Sequence, residues 1–242
     1  MELVASETED HGKFVTLAFD SRGRLWTTTA MEYPVDANEN PDGSRELFAR
    51  GGRDKVLVFE KPWEKDVALP RVFADGLVMP LGVLPYRDGA FVQYGSEIRF
   101  YRDLNGDGAA DNYHTVLEGF GTEDSHLFPH QFTRMPGERI FLAQGLFNSS
   151  TVRRPGNIPF ADGAKEIVFN HCKLAWFSPD GSQFEALTAG PNNIWGLTVS
   201  REGEVWIQEA NDMGYPIIPF APGGHYPTGS VEKLRPYQPL MP

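Results

Sequence analysis

Cysteine is almost missing from this chain of 242 residues, which contains only Cys172. An intrachain disulfide and the Cys-x-x-Cys-His motif that attaches haem each need two cysteines, so the sequence excludes both. We expect Cys172 to be a small, buried apolar residue. The sequence has no run of about 18 apolar residues and therefore predicts no membrane-spanning helix. Its first ten residues lack the basic and apolar regions of a signal peptide.

Several common catalytic motifs are missing as well. There is no G-x-S-x-G, no glycine-rich phosphate loop and no G-x-G-x-x-G. The sequence therefore gives no support for the usual hydrolase or nucleotide-binding sites. Positive charge is scarce: 22 Lys and Arg residues face 33 Asp and Glu residues, a formal net charge of −11. This balance argues against nucleic acids and anionic membrane surfaces as partners.

Glycine and proline, in contrast, are plentiful at 25 and 19 residues, which favours short strands and turns. A phrase of apolar strand, glycine turn and second apolar strand recurs at residues 14–26, 81–92, 131–142 and 195–207. We expect the turn glycines to supply a positive φ; they are Gly23, Gly89, Gly137 and Gly203. Irregular repeats of roughly 50–65 residues are typical of propeller blades. The sequence predicts an all-β fold, a β-propeller with about four blades visible, and no helix-period stretch of ten or more residues.

The chain is long enough for one such unit, and we expect a single β-propeller domain over residues 1–242, truncated at both ends. Two polar segments, residues 30–54 and 145–165, are too long to be turns. Binding groups tend to lie on long loops of this kind.

An acidic loop between two strand-like runs carries a calcium-binding pattern. Hard cations take about six to eight oxygen ligands, and alternating short acidic side chains on a tight loop supply them. Positions 1, 3, 5, 7 (through its carbonyl) and 9 are Asp103, Asn105, Asp107, Ala109 and Asp111. An EF-hand also needs a glutamate at position 12, where this chain has His114. We therefore predict a calcium loop that joins two strands; the alternative is a solvated acidic turn without metal.

Two histidines four residues apart, His126 and His130, stand just before the third repeat. Histidine is suited to taking a proton from an alcohol, because its ordinary pKa lies near 6.5. Glu123 or Asp124 would fix its tautomer. Metal ligation by the two histidines and a structural, hydrogen-bonded histidine are the alternatives.

A second candidate segment precedes the fourth repeat. Asn192 and Asn193 offer amide groups, and Trp195 offers a flat surface on which a ring can stack. A capped turn with a core tryptophan is the alternative interpretation. Arg153 is a candidate clamp for an anionic carboxylate of a cofactor; the alternative is a solvated basic turn.

A family resemblance rests on five phrases that occur in order: residues 19–26, 72–77, 103–111, 119–126 and 193–197. Together they resemble the β-propeller domain of the membrane-bound dehydrogenase family, which is related to the soluble quinoprotein glucose and sorbosone dehydrogenases. The resemblance implies a six-bladed propeller of which this chain is a fragment, an extracytoplasmic (periplasmic or secreted) location, calcium, and pyrroloquinoline quinone as cofactor. It also implies a haem c module elsewhere in the parent protein.

Carried over residue by residue, the resemblance places the catalytic base on His126 or His130 and the quinone near Trp195. The positions at which the quinoproteins have an arginine and an acid fall on Asn192 and near Gln144 here. The sequence thus predicts a quinoprotein-like dehydrogenase that oxidises a sugar or alcohol hydroxyl. The alternative is a non-catalytic, calcium-binding propeller that binds carbohydrate or a protein partner.

Overall fold

The computed structural model describes residues 3–64, 69–189, 193–210 and 217–220. These residues form antiparallel sheets that belong to two compact units. Unit 1 comprises residues 1–118 and 122–126, and unit 2 comprises residues 119–121 and 127–242. The single domain that we expect from the sequence stays a prediction.

Unit 1 contains two four-stranded sheets in which every strand pairs with its neighbour in the chain. The first sheet consists of β1 (Phe14–Phe19), β2 (Leu25–Thr29), β3 (Asp54–Phe59) and β4 (Arg71–Leu77). The second consists of β5 (Val83–Tyr86), β6 (Gly89–Tyr94), β7 (Glu97–Arg102) and β8 (Asn112–Glu118). The first strands of the two sheets, β1 and β5, pack beside each other.

Unit 2 contains a four-stranded sheet, a three-stranded sheet and a separate hairpin. In chain order the strands are β9 (His130–Met135), β10 (Arg139–Gln144), β11 (Ser149–Val152), β12 (Ile167–Asn170), β13 (Lys173–Phe177), β14 (Phe184–Ala189), β15 (Ile194–Val199), β16 (Val205–Glu209) and β17 (Ile217–Phe220). In the sequence, the hairpin β11–β12 lies between β10 and β13, but in the sheet those two strands pair directly with each other. Strands β9 and β15 pack beside each other, as β1 and β5 do in unit 1.

The four predicted strand–turn–strand repeats are all present, as β1–β2, β5–β6, β9–β10 and β15–β16. Each one starts a sheet whose further strands are added in chain order. This succession is the four-blade arrangement of a propeller and confirms the predicted all-β propeller fold.

The turn chemistry is as predicted in three of the four hairpins. Gly23, Gly137 and Gly203 have positive φ values of 80°, 80° and 87°. Gly89 is the exception, because it lies inside β6 and the positive φ falls on Arg87. A Cβ at residue 89 would lie 1.9 Å from the Tyr101 carbonyl oxygen on the neighbouring strand, so this position needs glycine for a close approach of two strands.

The α-helix α1 (Pro41–Arg50) corrects the prediction that no helical stretch of ten residues is present. The Asn40 side chain caps its first turn by accepting a bond from the Gly43 amide at 3.0 Å, and Pro41 begins it. Only Ser44 is buried among its residues. Because the helix lies on the surface without a broad apolar stripe, its sequence shows the cap but little periodicity.

The cores consist of the inward-facing residues of the sheets. In unit 1, Val56, Leu57 and Val58 of β3 are fully buried. In unit 2, apolar residues of β10, β13, β15, β16 and β17 pack into one cluster around Leu174 and Ile207. Among the residues that the structure describes, no helix is long and apolar enough to cross a membrane.

Candidate functional site

The candidate base His126 lies next to the carboxylate of Asp124 in unit 1. The Nδ1 atom of His126 lies 2.5 Å from Oδ1 of Asp124. A proton on Nδ1 would face this carboxylate, which only accepts, and the lone pair would then lie on Nε2. The His126 side chain is 37% exposed, whereas that of Asp124 is 11% exposed. The histidine can therefore meet a solute while its partner stays in the protein.

A second carboxylate, that of Asp36, fixes the backbone of this segment. Its Oδ1 accepts bonds from the amide of Ser125 at 2.7 Å and from the Ser125 hydroxyl at 2.5 Å. The same hydroxyl accepts a bond from the Val35 amide at 3.3 Å. Ser125 is fully buried, so the residue between Asp124 and His126 has little freedom to move.

Two backbone bonds add to this support. The amide of Ala37 donates to the Thr122 carbonyl at 3.2 Å, and that of Asn38 donates to the Glu123 carbonyl at 3.0 Å. Residues 30–54, the polar segment that we expected to carry binding groups, thus hold residues 122–125 in place by hydrogen bonds. Sequence reasoning placed Asp36 in this loop but gave it no role.

The electrostatics of the pair are set by burial. Burial raises the pKa of Asp124, the nearby His126 acts to lower it, and the neighbouring Asp36 raises it further. The net pKa is above that of an ordinary aspartate. A carboxylate with a raised pKa is a better hydrogen-bond acceptor and partner for an imidazole that gains a proton.

His130, the other candidate base, has a different environment. It is fully buried as the first residue of β9, and its ring stacks on Trp195 with 4.7 Å between the ring centroids. Its Nδ1 contacts the Phe128 carbonyl, and its Nε2 contacts the Ile194 carbonyl. Both ring nitrogens of His130 thus face protein oxygens, whereas His126 is part-exposed; the role of base stays a prediction for either histidine. The two histidines belong to different units.

The candidate cofactor residues lie in unit 2 or outside the described residues. Asn192 falls outside them. Asn193 is buried, and its backbone N–H donates to the Glu209 carboxylate at 3.0 Å. Trp195 is half-buried on β15, with His130 behind its ring. Arg153 is half-buried just after β11.

Two buried polar side chains of unit 2, Gln144 and Glu209, hold nearby backbone segments. Gln144 is fully buried at the end of β10, where its amide donates to the Asn148 carbonyl at 2.9 Å and its oxygen accepts a bond from the Ser150 hydroxyl. At this position, where an acid is expected from the resemblance, the side chain therefore holds a loop. Glu209, 2% exposed, fixes the start of β15 through Asn193.

The predicted calcium loop joins β7 and β8, as expected, but its oxygens are engaged with the loop itself. Both carboxylate oxygens of Asp103 accept backbone amides, from Gly106 at 2.7 Å and Gly108 at 2.9 Å. Asp111 accepts the Leu104 amide at 2.6 Å. No group of three or more acidic or histidine side chains within the described parts of the chain is arranged to hold a metal ion. The loop carboxylates already accept amides of the loop itself, and calcium binding by the loop stays a prediction.

The sequence as a whole matches one family model. The match covers residues 1–229 and is to the Domain of unknown function (DUF7133). The chain belongs to the DUF7133 family. No curated protein matches this DUF7133 chain.

Solved structures show what the DUF7133 fold is similar to. One is an oxidoreductase (glucose dehydrogenase) from Thermus thermophilus, with 16% identity and a TM-score of 0.52; 90% of this chain and 65% of that chain are covered. Another is the holo form of the pyranose dehydrogenase PQQ domain from Coprinopsis cinerea, with 13% identity and a TM-score of 0.50; 87% of this chain and 48% of that chain are covered. The DUF7133 chain thus spans about half to two thirds of those two chains.

At this identity the similarity is one of fold. It confirms the predicted propeller fold, and the predicted kinship with quinoprotein sugar dehydrogenases stays a prediction. The resemblance of the sequence motifs to the membrane-bound dehydrogenase family stays a prediction. Because a propeller carries many functions, the activity of the DUF7133 chain has to be argued from its site.

Proposed function

We propose that this chain is the propeller of a quinoprotein-like dehydrogenase that oxidises a hydroxyl of a sugar or alcohol. The observation that carries the proposal is the pair of His126 and Asp124, a part-exposed imidazole whose Nδ1 is held at 2.5 Å by a buried carboxylate. The dehydrogenase fold of the similar structures supports it. Substrate, cofactor and location remain parts of this proposal.

The chemistry assigned to the chain is a proton transfer. Oxidation of a hydroxyl removes one proton from oxygen and one hydride from carbon. His126 takes the proton at Nε2. Asp124 stabilises the imidazolium that results, because its carboxylate accepts a hydrogen bond from Nδ1–H both before and after the transfer. Ser125, held by Asp36, keeps the two side chains in register. A positioned base of this kind contributes about 10²–10⁴-fold to a rate.

Pyrroloquinoline quinone is the cofactor that we propose, and when bound it would accept the hydride. The donor set of unit 2 fits a flat anionic group in two respects. Trp195 is half-buried with one ring face backed by His130, and its exposed part is the surface on which we propose that the quinone stacks. Arg153 is a half-buried cation that suits a carboxylate. Asn192 and Asn193 are the further candidates.

The setting follows from the same proposal. A sugar or alcohol dehydrogenase of this kind would work outside the cytoplasm, in the periplasm or as a secreted protein. Its electrons would pass to a haem c module elsewhere in the parent protein. The acidic balance, −11 overall, suits a neutral small-molecule substrate and no nucleic acid.

One observation favours the second candidate function, a non-catalytic propeller that binds carbohydrate or a protein partner. Gln144 is a buried amide with both its donor and its acceptor used inside the protein. It cannot act as the acid that the resemblance places near it. A propeller that has lost this acid would keep the fold without the reaction.

The test is reconstitution of the purified chain with pyrroloquinoline quinone and Ca²⁺, followed by a dye-linked assay over sugars and alcohols. We expect turnover in the wild type and a loss of about 10²–10⁴-fold in kcat for His126→Asn. Asp124→Asn should lower kcat and change the pH profile while leaving quinone absorbance intact. His114→Asn, an exposed histidine of the same unit, is the matched control.

Two results would overturn the dehydrogenase proposal. One is the absence of both quinone binding and turnover across the panel, which would favour the non-catalytic function. The other is turnover by His126→Asn at the wild-type rate, which would remove the proposed base. Quinone binding without turnover in the wild type would separate the cofactor site from the reaction and count against His126.

Calcium binding by the loop at residues 103–111 stays a prediction. An ion would have to draw the carboxylates of Asp103 and Asp111 away from their loop amides. Titration calorimetry with Ca²⁺, with Asp107→Ala as the comparison, tests it. Binding that Asp107→Ala abolishes would support the calcium loop, and no heat change in the wild type would leave a self-bonded acidic turn.

A further inference from the structure

Unit 1 contains a cavity of about 490 Å³ that takes no part in the proposed reaction. It lies between the end of α1, the end of β4 and the outer strands β7 and β8. We call it the tyrosine cleft; the residues that define it are Tyr94, Arg99, Tyr101, Tyr113, Asp75 and Asn112. Small-molecule sites in proteins span about 300–1,000 Å³, so this volume is large enough for a ligand.

The back wall of the tyrosine cleft is rigid. The guanidinium of Arg99 lies 3.9 Å from the ring centroid of Tyr94 and 4.5 Å from that of Tyr113. Its Nε donates to Glu97 at 2.6 Å, and Glu97 also accepts the Thr115 hydroxyl at 3.0 Å. A cation between two aromatic rings and paired with a carboxylate is fixed in place and locally neutralised.

Buried tyrosines complete this wall. Tyr94 and Tyr101 are 8% and 7% exposed. The Tyr94 hydroxyl donates to the Phe48 carbonyl of α1 at 3.0 Å, and that of Tyr101 bonds with Arg99. Burial raises the pKa of Tyr101, so its hydroxyl keeps its proton at neutral pH. The wall is therefore aromatic, uncharged in sum and already hydrogen-bonded.

Tyr113 is the part of the wall that a ligand can reach. It is 51% exposed although Arg99 covers one of its ring faces and Tyr101 lies beside it, 5.0 Å away between centroids. About half of Tyr113 is therefore open to a ligand, while its neighbours hold the ring in place. An exposed aromatic ring held in this way is a platform on which a flat apolar surface can stack.

The rim of the cleft is polar but balanced in charge. Asp75, at 60% side-chain exposure, lies 3.7 Å from the ammonium of Lys55. The other charged lining residues outside the wall, Arg50 and Asp111, are one of each sign, and Asn112 adds an exposed amide. Such a rim offers hydrogen bonds to hydroxyl groups and no net attraction for an ion.

A second cavity, of about 440 Å³, lies next to the first. The two share Phe48, Ala49, Tyr94 and Arg99 as lining residues. A ligand longer than one ring can therefore continue from the tyrosine cleft along the side of α1. Neither cavity is lined by His126 or Asp124.

We propose that the tyrosine cleft binds a neutral oligosaccharide, with one sugar ring stacked on Tyr113. The C–H face of a pyranose matches the exposed ring face, and its hydroxyls match the carboxylate of Asp75 and the amide of Asn112. The lack of net charge disfavours a charged ligand. Because the cleft shares no residue with the proposed base, this binding site does not rest on the dehydrogenase proposal.

Titration calorimetry with the full chain and no quinone tests the site, with maltotriose, cellotriose and xylotriose as neutral probes and trigalacturonate as the acidic one. We expect at least one neutral trisaccharide to bind. Tyr113→Ala should weaken that binding about tenfold, as expected for a lost stacking contact. Ala49→Trp, which places an indole at an exposed position that lines both cavities, should abolish it.

Two controls separate this site from the rest of the protein. Tyr33→Ala removes another exposed tyrosine of unit 1 and should bind like the wild type. His126→Asn should also bind like the wild type, even though it loses turnover under the proposed function. Three outcomes would overturn the inference: no binding of any neutral probe, unchanged binding by Tyr113→Ala, or tighter binding of trigalacturonate than of the neutral probes.

Discussion

The Asp54 carboxylate is the most consequential buried polar group of unit 1. It is fully buried at the start of β3 and holds three other parts of the unit. Oδ1 accepts the Thr29 hydroxyl at 2.9 Å and the Met31 amide at 2.5 Å. Oδ2 accepts the Met79 amide at 2.7 Å and the Glu32 amide at 3.4 Å. The end of β2, the following loop and the segment after β4 thus meet at one side chain.

We predict that Asp54→Asn destabilises unit 1 by about 3 kcal/mol. The amide oxygen can replace one carboxylate oxygen, but the NH₂ group then faces the Met79 amide. The new NH₂ group and the Met79 N–H are then both unsatisfied buried donors, and each costs about 1–3 kcal/mol. The 3.4 Å contact with Glu32 adds little.

Differential scanning calorimetry and urea unfolding measure this change. At about 2–4 °C per kcal/mol for a chain of this size, Tm should fall by roughly 6–12 °C. Glu46→Gln, an exposed carboxylate on α1, should stay within about 0.5 kcal/mol of the wild type. An Asp54→Asn protein as stable as this control would refute the assigned role of Asp54.

The pH dependence gives the prediction a second readout. Burial raises the pKa of Asp54 in the folded state, and the bonds from Met79, Met31, Thr29 and Glu32 lower it only in part. A raised folded pKa means that this contribution to stability is fully present below the unfolded value of about 3.9 and is lost as the pH rises through the folded value. The stability difference between wild type and Asp54→Asn should therefore widen as the pH falls towards 4.

Three further predictions concern single residues. Asp20→Ala should lower the free energy of unfolding by about 1.5–3 kcal/mol, because Asp20 accepts the Trp26 indole N–H at 3.0 Å and the Arg24 Nε–H at 2.6 Å. Trp26 fluorescence during titration with urea measures this change. The Cys172 thiol is fully buried and burial raises its pKa, so a thiol-reactive disulfide reagent should label it only after unfolding; rapid labelling at pH 8 would contradict this. Gly145→Ala should cost about 1–3 kcal/mol in urea unfolding, because its Cβ would lie 2.2 Å from the Leu127 side chain; a neutral effect would show that Leu127 can move aside.

The fold could be predicted because its signal is local and repeated. Gly23, Gly137 and Gly203 each mark a turn through a backbone angle that glycine adopts freely, and the flanking apolar runs mark the strands. Gly89 looks the same in the sequence but serves a contact with Tyr101 on the next strand. A single sequence does not distinguish a glycine needed for its angle from one needed for its size.

Only the contacts between residues close in the sequence could be predicted for the candidate site. His126 and Asp124 are close in the chain, and the sequence suggested Glu123 or Asp124 as the acid beside one of the two histidines. Asp36 contacts Ser125 from 89 residues away, and no local pattern reports such a pairing. His126 and His130 are equivalent by composition and spacing, and only burial separates them.

The tyrosine cleft was missed for the same reason. Tyr94, Tyr101 and Tyr113 lie on three successive strands, β6, β7 and β8, and in the sequence they read as ordinary strand aromatics. Their convergence on Arg99 depends on strand register. The helix that borders the cleft, α1, was not predicted at all.

Both excursions from the strand meanders, α1 and the hairpin β11–β12, interrupt a sheet between its second and third strands. The second and third strands of each sheet still pair directly, β2 with β3 and β10 with β13. The length of the connection between them therefore does not affect the register of the sheet. For protein engineering, this connection is therefore a site at which additional residues can be inserted. A peptide epitope inserted at Gly163, an exposed turn with open space around it, would lengthen a loop whose closure costs only about 0.6 kcal/mol per doubling.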